Sequence, residues 1–166
     1  LRDLGFTMNF APVADIAVFP DSPAIGRLNR AFSSDPKTVV AHNRAFLKGL
    51  AAHGVIGCLK HFPGHGSARQ DTHQGVADIT KTWQTAELMP YEQLIRENAV
   101  PMIMVGHLYH AGMDSKFPGS LSYQVITKLL RTKLGFEGVI ISDDLQMKAI
   151  RDYFSLRDIV SLSIQA

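Results

Sequence analysis

The chain has 166 residues, 46% hydrophobic and 19% charged, and a net charge of +2 at pH 7. That length suffices for one ordinary domain with its own core, and the composition fits a globular protein. The basic residues are scattered and no run of about 18 apolar residues occurs, which argues against nucleic acid, a membrane surface or a membrane-spanning helix.

Leu1 to Phe6 reads as the tail of a helix running into a strand, with no basic segment and apolar stretch of a signal peptide. Met8 to Val13 is the first expected strand. Pro36 to His53 carries Val39, Val40, Phe46, Leu47 and Leu50 at helical spacing, with Asp35 as N-cap and Pro36 at the first position. Gly54 ends that helix, and Val55 to Leu59 is the second strand. The only cysteine, Cys58, lies in this run and reads as a small buried hydrophobe. A long polar loop is expected from His61 to Thr82, then a helix from Thr85 to Asn98. Val100 to Val105 is the third strand. After a loop with Gly112, Pro118 and Gly119, Gln124 to Lys133 is helical, and Gly135 closes it. Val139 to Ile141 is the fourth strand. Asp144 is placed to cap a further helix, which breaks near Tyr153 to Ser155 and is still running at Ala166. Both ends therefore read as interrupted elements, and the chain is expected to be the central part of a longer one.

The order is β-α four times over. The strands are continuous apolar runs rather than alternating ones, as parallel strands buried on both faces require. A doubly wound open sheet and a (β/α)₈ barrel both satisfy this. No glycine-rich phosphate loop follows the first strand, which weighs against a dinucleotide-binding version.

Each strand delivers a polar group at its C-terminal end: Asp15 after the first, Lys60 and His61 after the second, His107 after the third, Asp143 after the fourth. Active sites of parallel α/β folds lie at that end. In Lys60-His61-Phe62-Pro63-Gly64-His65-Gly66, a lysine and a histidine leave a buried strand together, and both can donate to a polar ligand such as sugar hydroxyls. Asp71-Thr72-His73 is either a surface turn or a proton-shuttling pair, since a carboxylate on one imidazole nitrogen fixes the tautomer and supports the charged form. His61, His65 and His73 could meet on one metal ion, although their spacing fits no zinc pattern. Asp143 is suited to attack an anomeric carbon.

Together these segments resemble the β-N-acetylhexosaminidases of glycoside hydrolase family 3. The similarity is carried by Asn9 to Asp15, Arg30 to Pro36, the Lys60 to Gly66 run, Asp71-Thr72-His73, Pro118 to Ser122, and Gly138 to Met147. It implies a (β/α)₈ barrel, of which about four βα units are represented as one domain over 1–166. It implies Asp143 as nucleophile and His73, held by Asp71, as acid/base in place of a second carboxylate. Arg30, Lys60 and His61 match residues holding a terminal N-acetylglucosamine, with Asp15 and His107 as further substrate-binding expectations. The implied partner is an N-acetylglucosamine-containing glycan or muropeptide, with no cofactor, metal, nucleic acid or membrane. The implied compartment is the cytoplasm, with the periplasm as the alternative. The family's upstream Asp-Gln-Glu-Gly-Gly segment and last barrel strands are not in this sequence. Three rivals remain: a β-glucosidase or phosphorylase relative, an inactive carbohydrate-binding fragment, and a metallohydrolase.

Overall fold

A computed structural model describes residues 1–166. Its strands are β1 (Met8–Asn9), β2 (Ile56–Gly57), β3 (Leu59–Phe62), β4 (Ala77–Asp78), β5 (Met102–Val105), β6 (Leu108–Tyr109) and β7 (Val139–Ser142). Its helices are α1 (Pro36–Ala52), α2 (Met89–Arg96), a π-helix (Gln124–Lys133), α3 (Lys148–Arg151) and α4 (Leu156–Gln165).

The four expected strands lie side by side in chain order, and all are parallel. β1 pairs with β2, and the same two neighbours meet again where Val13 bridges Lys60 of β3. β3 pairs with β5, and β5 with β7 in the register Met102↔Val139 to Val105↔Ser142. In a doubly wound sheet the order would reverse at a switch point. Here it runs first, second, third, fourth with a helical crossover each time, which is the winding of a barrel.

The two faces of the sheet confirm that winding. Leu59 and Phe62 of β3 and Ile103 and Val105 of β5 pack with Val40 and Leu47 of α1, Tyr91 and Leu94 of α2, and Val125 and Leu130 of the π-helix. Successive residues of β5 face opposite ways, while β3 shifts register between Leu59 and Phe62, so that both of these reach the helices. Accordingly Met102 and Met104 turn from the helices and cluster with Cys58 and Ile141 on the other face. Helices cover one face, and the side chains of a barrel interior line the other. Phe62 and Tyr91 meet edge to face at 5.1 Å between centroids, an arrangement worth about 0.5–1.5 kcal/mol beyond area burial.

Local chemistry sets the helix limits. Asp35 caps α1, accepting from the N–H groups of Lys37 and Thr38 at 3.2 and 3.0 Å. Ser155 caps α4 by accepting from Asp158 N–H, which is the expected break near Tyr153 to Ser155. The expected Thr85 to Asn98 helix divides into a 3₁₀ turn, Thr85–Leu88, and α2. Gln124–Lys133 has the expected limits but is wound as a π-helix, burying Val125 and Leu130 five residues apart.

Four expectations are corrected. Leu1 to Phe6 holds only a 3₁₀ turn, Arg2–Leu4. Lys60 and His61 lie inside β3 rather than after a strand. The His61 to Thr82 loop is not loop throughout: it begins inside β3 and contains β4, which pairs with β6, and its residues 61–68 are buried. Asp144 does not cap a helix, because its Oδ1 accepts from Gln146 N–H in a turn that precedes α3.

Candidate active site

Strand periodicity explains how Lys60 and Asp143 come to the barrel interior. Cys58 and Ile141 point inward, and two residues on along each strand stand Lys60 and Asp143. The charges of Lys60 and Asp143 both act on the Cys58 thiol, which burial pushes up to about 12, so Cys58 is a packing residue. The Lys60 ammonium is held below its usual range, first by half-burial and second by Arg30, while Asp143 opposes the shift. Asp143 is partly buried. Its Oδ1 accepts from Asp144 N–H at 2.9 Å, and its Oδ2 has no hydrogen-bond partner in the chain. A carboxylate with one oxygen tethered and one free is disposed to act as a nucleophile.

Asp15 organises the adjoining wall from beneath. It has no exposed surface. Its Oδ1 accepts from the backbone N–H of His61 and His65 at 3.1 and 2.8 Å, and its Oδ2 lies 2.7 Å from His61 Nδ1. Burial alone would raise its pKa, but the contacts and charges of His61 and His65 outweigh burial and hold it below the usual range. A carboxylate at Nδ1 sets His61 with its proton there, leaving Nε2 as the acceptor facing Arg30 Nη2 at 3.4 Å. The other arm of Arg30 donates to Ala24 O at 2.8 Å. Arg30, His61 and Lys60 thus form one polar surface.

His107 is held from two sides. Its Nε2 lies 2.8 Å from the carbonyl of Asp144, so this nitrogen carries the proton, and Nδ1 accepts from the Ser120 hydroxyl at 2.6 Å. Burial lowers its pKa against the pull of the Asp144 carbonyl, and the ring is neutral. Asp15 and His107 were both expected to touch substrate. The structure instead puts them behind the surface, 0% and 1% exposed with their polar atoms occupied, where they orient His61 and the Asp143–Asp144 turn.

The Pro63 to Ser67 loop needs its glycines. Gly64 has φ of +123°, and a Cβ there would lie 2.6 Å from the Cβ of Glu87. At Gly66 a Cβ would lie 1.7 Å from the Ile16 carbonyl oxygen. Trp83 Nε1 donates to Pro63 O at 3.0 Å, and Glu87 Oε2 accepts from Ser67 N–H at 3.3 Å.

Asp71 and His73 do pair. Asp71 Oδ1 lies 2.8 Å from His73 Nδ1 and accepts from His73 N–H at 3.0 Å. Partial burial would raise the Asp71 pKa, but the His73 backbone and ring outweigh it and lower it. The His73 ring is 67% exposed and has no hydrogen bond to Asp143, Lys60 or His61. The loop joins the rest of the site through Thr72, whose Oγ1 lies 3.3 Å from His65 Nε2 and whose carbonyl accepts from Ala149 N–H at 3.2 Å.

The metal reading finds no geometry. No three His, Cys, Asp or Glu side chains are gathered so as to hold an ion, and His65 is instead buried against Asp15 and Thr72. Thr72, Glu87 and Ser120 were not singled out from sequence. Only Glu87 carried a signal, standing three residues after Gln84 at a helix start, the spacing of a capping box.

The model for the Glycosyl hydrolase family 3 N terminal domain matches residues 1–166. Beta-hexosaminidase LpqI of Mycobacterium tuberculosis is 41% identical over 174 residues, covering 100% of this chain and 44% of that protein. Beta-hexosaminidase A of Pseudoalteromonas piscicida is 36% identical over 170 residues, covering 93% of this chain and 28% of that protein. The structure of a glycoside hydrolase family 3 beta-N-acetylglucosaminidase from Paenibacillus sp. str. FPU-7 superposes with a TM-score of 0.93 at 32% identity, over 99% of this chain and 32% of that one. The chain spans less than half the length of the curated relatives named here. With its strand order, one-sided helix layer and strand-end polar groups, the chain belongs to glycosyl hydrolase family 3, as four consecutive βα units of a (β/α)₈ barrel.

Proposed function

We propose that the protein is a retaining glycoside hydrolase that removes terminal β-linked N-acetylglucosamine from a glycan or muropeptide. The observation that carries this is the Asp71–His73 pair at 2.8 Å on a loop tied to the same site as a strand-end aspartate with one free oxygen. The printed names of the relatives, beta-hexosaminidase and beta-N-acetylglucosaminidase, support the substrate class.

Arg30, Lys60 and His61 hold the terminal sugar by hydrogen bonds. His73, charged and steadied by Asp71, gives its proton to the glycosidic oxygen as Asp143 Oδ2 attacks the anomeric carbon. The C–O bond to the leaving group breaks, and a glycosyl ester of Asp143 forms with inverted configuration. His73, now neutral, takes a proton from water. That water attacks the same carbon and releases Asp143, so configuration is retained overall.

The test is hydrolysis of an aryl β-N-acetylglucosaminide beside the matching β-glucoside by the full-length protein. The first alone is expected to be cleaved. Asp143→Asn should lose at least about 10³-fold in kcat, and His73→Ala about 10²–10⁴-fold. Free sugar as the product both with and without phosphate would separate hydrolysis from phosphorolysis. No cleavage of either substrate, or full activity in Asp143→Asn, would sink the mechanism.

A further inference from the structure

Thr72 stands between the two members of the Asp71–His73 pair, yet its environment is unlike theirs. It is 2% exposed, whereas the side chains of Asp71 and His73 are 19% and 67% exposed. Its hydroxyl reaches inward to His65 Nε2 at 3.3 Å, and its carbonyl accepts from Ala149 N–H at 3.2 Å. The first contact leads to the segment after β3, the second to the helix that follows Asp143. His65 is equally single-minded. It is 2% exposed, its backbone N–H is held by Asp15 at 2.8 Å, and its ring has one hydrogen-bond partner, Thr72. Its Nδ1 is buried with none. Burying an imidazole with an unpaired nitrogen is costly, so the Thr72 contact needs a reason beyond packing.

We propose that Thr72 is a positioning residue for the acid/base pair, latching the loop through its hydroxyl to His65 and through its carbonyl to Ala149 so that His73 is aimed at the glycosidic oxygen. This rests on the reading of His73 as acid/base given above. The geometry ties a loop without regular structure at one point: Asp71 and His73 bond to each other, and Thr72 between them joins the loop to both halves of the site. Burial holds the His65 pKa below its usual value against the opposing charge of Asp15, which favours the neutral ring that the Thr72 contact engages. Thr72 never touches substrate. It acts through His73, and a displacement of about 1 Å at a reacting group is enough to cost roughly 10²-fold.

The test compares Thr72→Val, Thr72→Ala and Thr72→Ser with His73→Ala and the unaltered full-length protein, on two β-N-acetylglucosaminides. One has a dinitrophenol leaving group, which departs without a proton. The other has an unsubstituted phenol, which needs one. Thr72→Val and Thr72→Ala are expected to lose about 10- to 100-fold in kcat/KM on the phenol substrate and under about 3-fold on the dinitrophenol substrate. Thr72→Ser, which keeps the hydroxyl, should stay within about 3-fold of the unaltered protein on both. Azide supplies a second readout on the dinitrophenol substrate. It attacks the anomeric carbon of the Asp143 ester, a C–N bond forms, the ester C–O bond breaks and the carboxylate leaves, with no base required. Thr72→Val should therefore yield β-glycosyl azide and recover turnover, as His73→Ala should. Equal losses on the two substrates in Thr72→Val and Thr72→Ala, beside a selective loss in His73→Ala, would overturn the latch and leave the acid/base assignment standing. Equal losses in His73→Ala would overturn both.

Discussion

A carboxylate without exposed surface stays ionised only when donors surround it, and Asp15 has three: the N–H groups of His61 and His65 on Oδ1 and the His61 ring on Oδ2. An asparagine has one acceptor oxygen. Whichever way the amide turns, its NH₂ group faces either the imidazole N–H or two backbone N–H groups, and a buried group left unpaired costs about 1–3 kcal/mol. Asp15→Asn should therefore lower the urea midpoint at pH 7 and, under the proposed function, should raise the full-length protein's KM for the aryl N-acetylglucosaminide by loosening His61. The pH dependence has a definite sign. The pKa of Asp15 is lowered on folding, so its stabilisation is present above its unfolded value of about 3.9 and disappears as pH falls through the lower folded value. The gap between native and variant midpoints should hold from pH 7 to about 4 and close below that. A gap that widens toward acid would contradict the assignment. Sequence alone identified Asp15 as a strand-end carboxylate but not its depth. The spacing of residues along a strand says where a side chain leaves the sheet, and the later His61–His65 segment folding over it decides whether it meets solvent.

At the scale of the element, the turn that begins at Thr85 is built around a second buried acid. Glu87 is 1% exposed, and its two oxygens accept from Gln84 N–H at 3.2 Å and Ser67 N–H at 3.3 Å. Burial pushes its pKa up to about 7, the nearby charge of Asp15 adds to the rise, and the two hydrogen bonds hold it back. A carboxyl that keeps its proton to about pH 7 when folded, but to about 4.3 when unfolded, binds more protons in the native state between those values. Stability from this group is thus full below about pH 4.3, falls as pH rises toward 7, and is flat above. Glu87→Gln cannot titrate. Melting curves should show the native protein's advantage over Glu87→Gln shrinking between pH 4.5 and 7, and an advantage constant across that window would refute the buried proton. The long elements were legible, because Pro36–Ala52 and the four strands carry periodicity or continuous apolar runs with glycine or proline punctuation. The β4–β6 pair was not, since two residues per strand give no period to read. The π-helix was recognised as a helix with its limits but not its winding, because Val125, Ile126, Leu129 and Leu130 suit a face of either pitch.

Across the whole molecule, the sheet is an open arc. β1 and β7 each have one strand neighbour, and barrels escape edge pairing only by closing. Apolar side chains stand out along both margins: Met8 at 46%, Phe10 at 47% and Val139 at 56% exposed. An edge strand offers a row of unpaired N–H and C=O groups, and adjacent apolar surface adds roughly 25 cal/mol for each Å² it can bury. Neither margin carries a charge that would blunt such an edge along Met8-Asn9-Phe10 or Val139-Ile140-Ile141, and the first margin's proline, Pro12, comes only after Phe10. The 166-residue chain by itself should therefore associate with rising concentration, edge to edge, which sedimentation velocity would detect as a shift from monomer to larger species. Met8→Lys and Val139→Lys put a charge on each exposed margin without touching the helix-facing core around Leu59 and Ile103. They should move association to at least about 10-fold higher concentration, the equivalent of roughly 1.4 kcal/mol. A chain that sediments as a monomer throughout, or lysine variants that associate as readily as the native chain, would show that the exposed margins are not sticky edges, and that the arc of four strands is self-sufficient without a partner on either side.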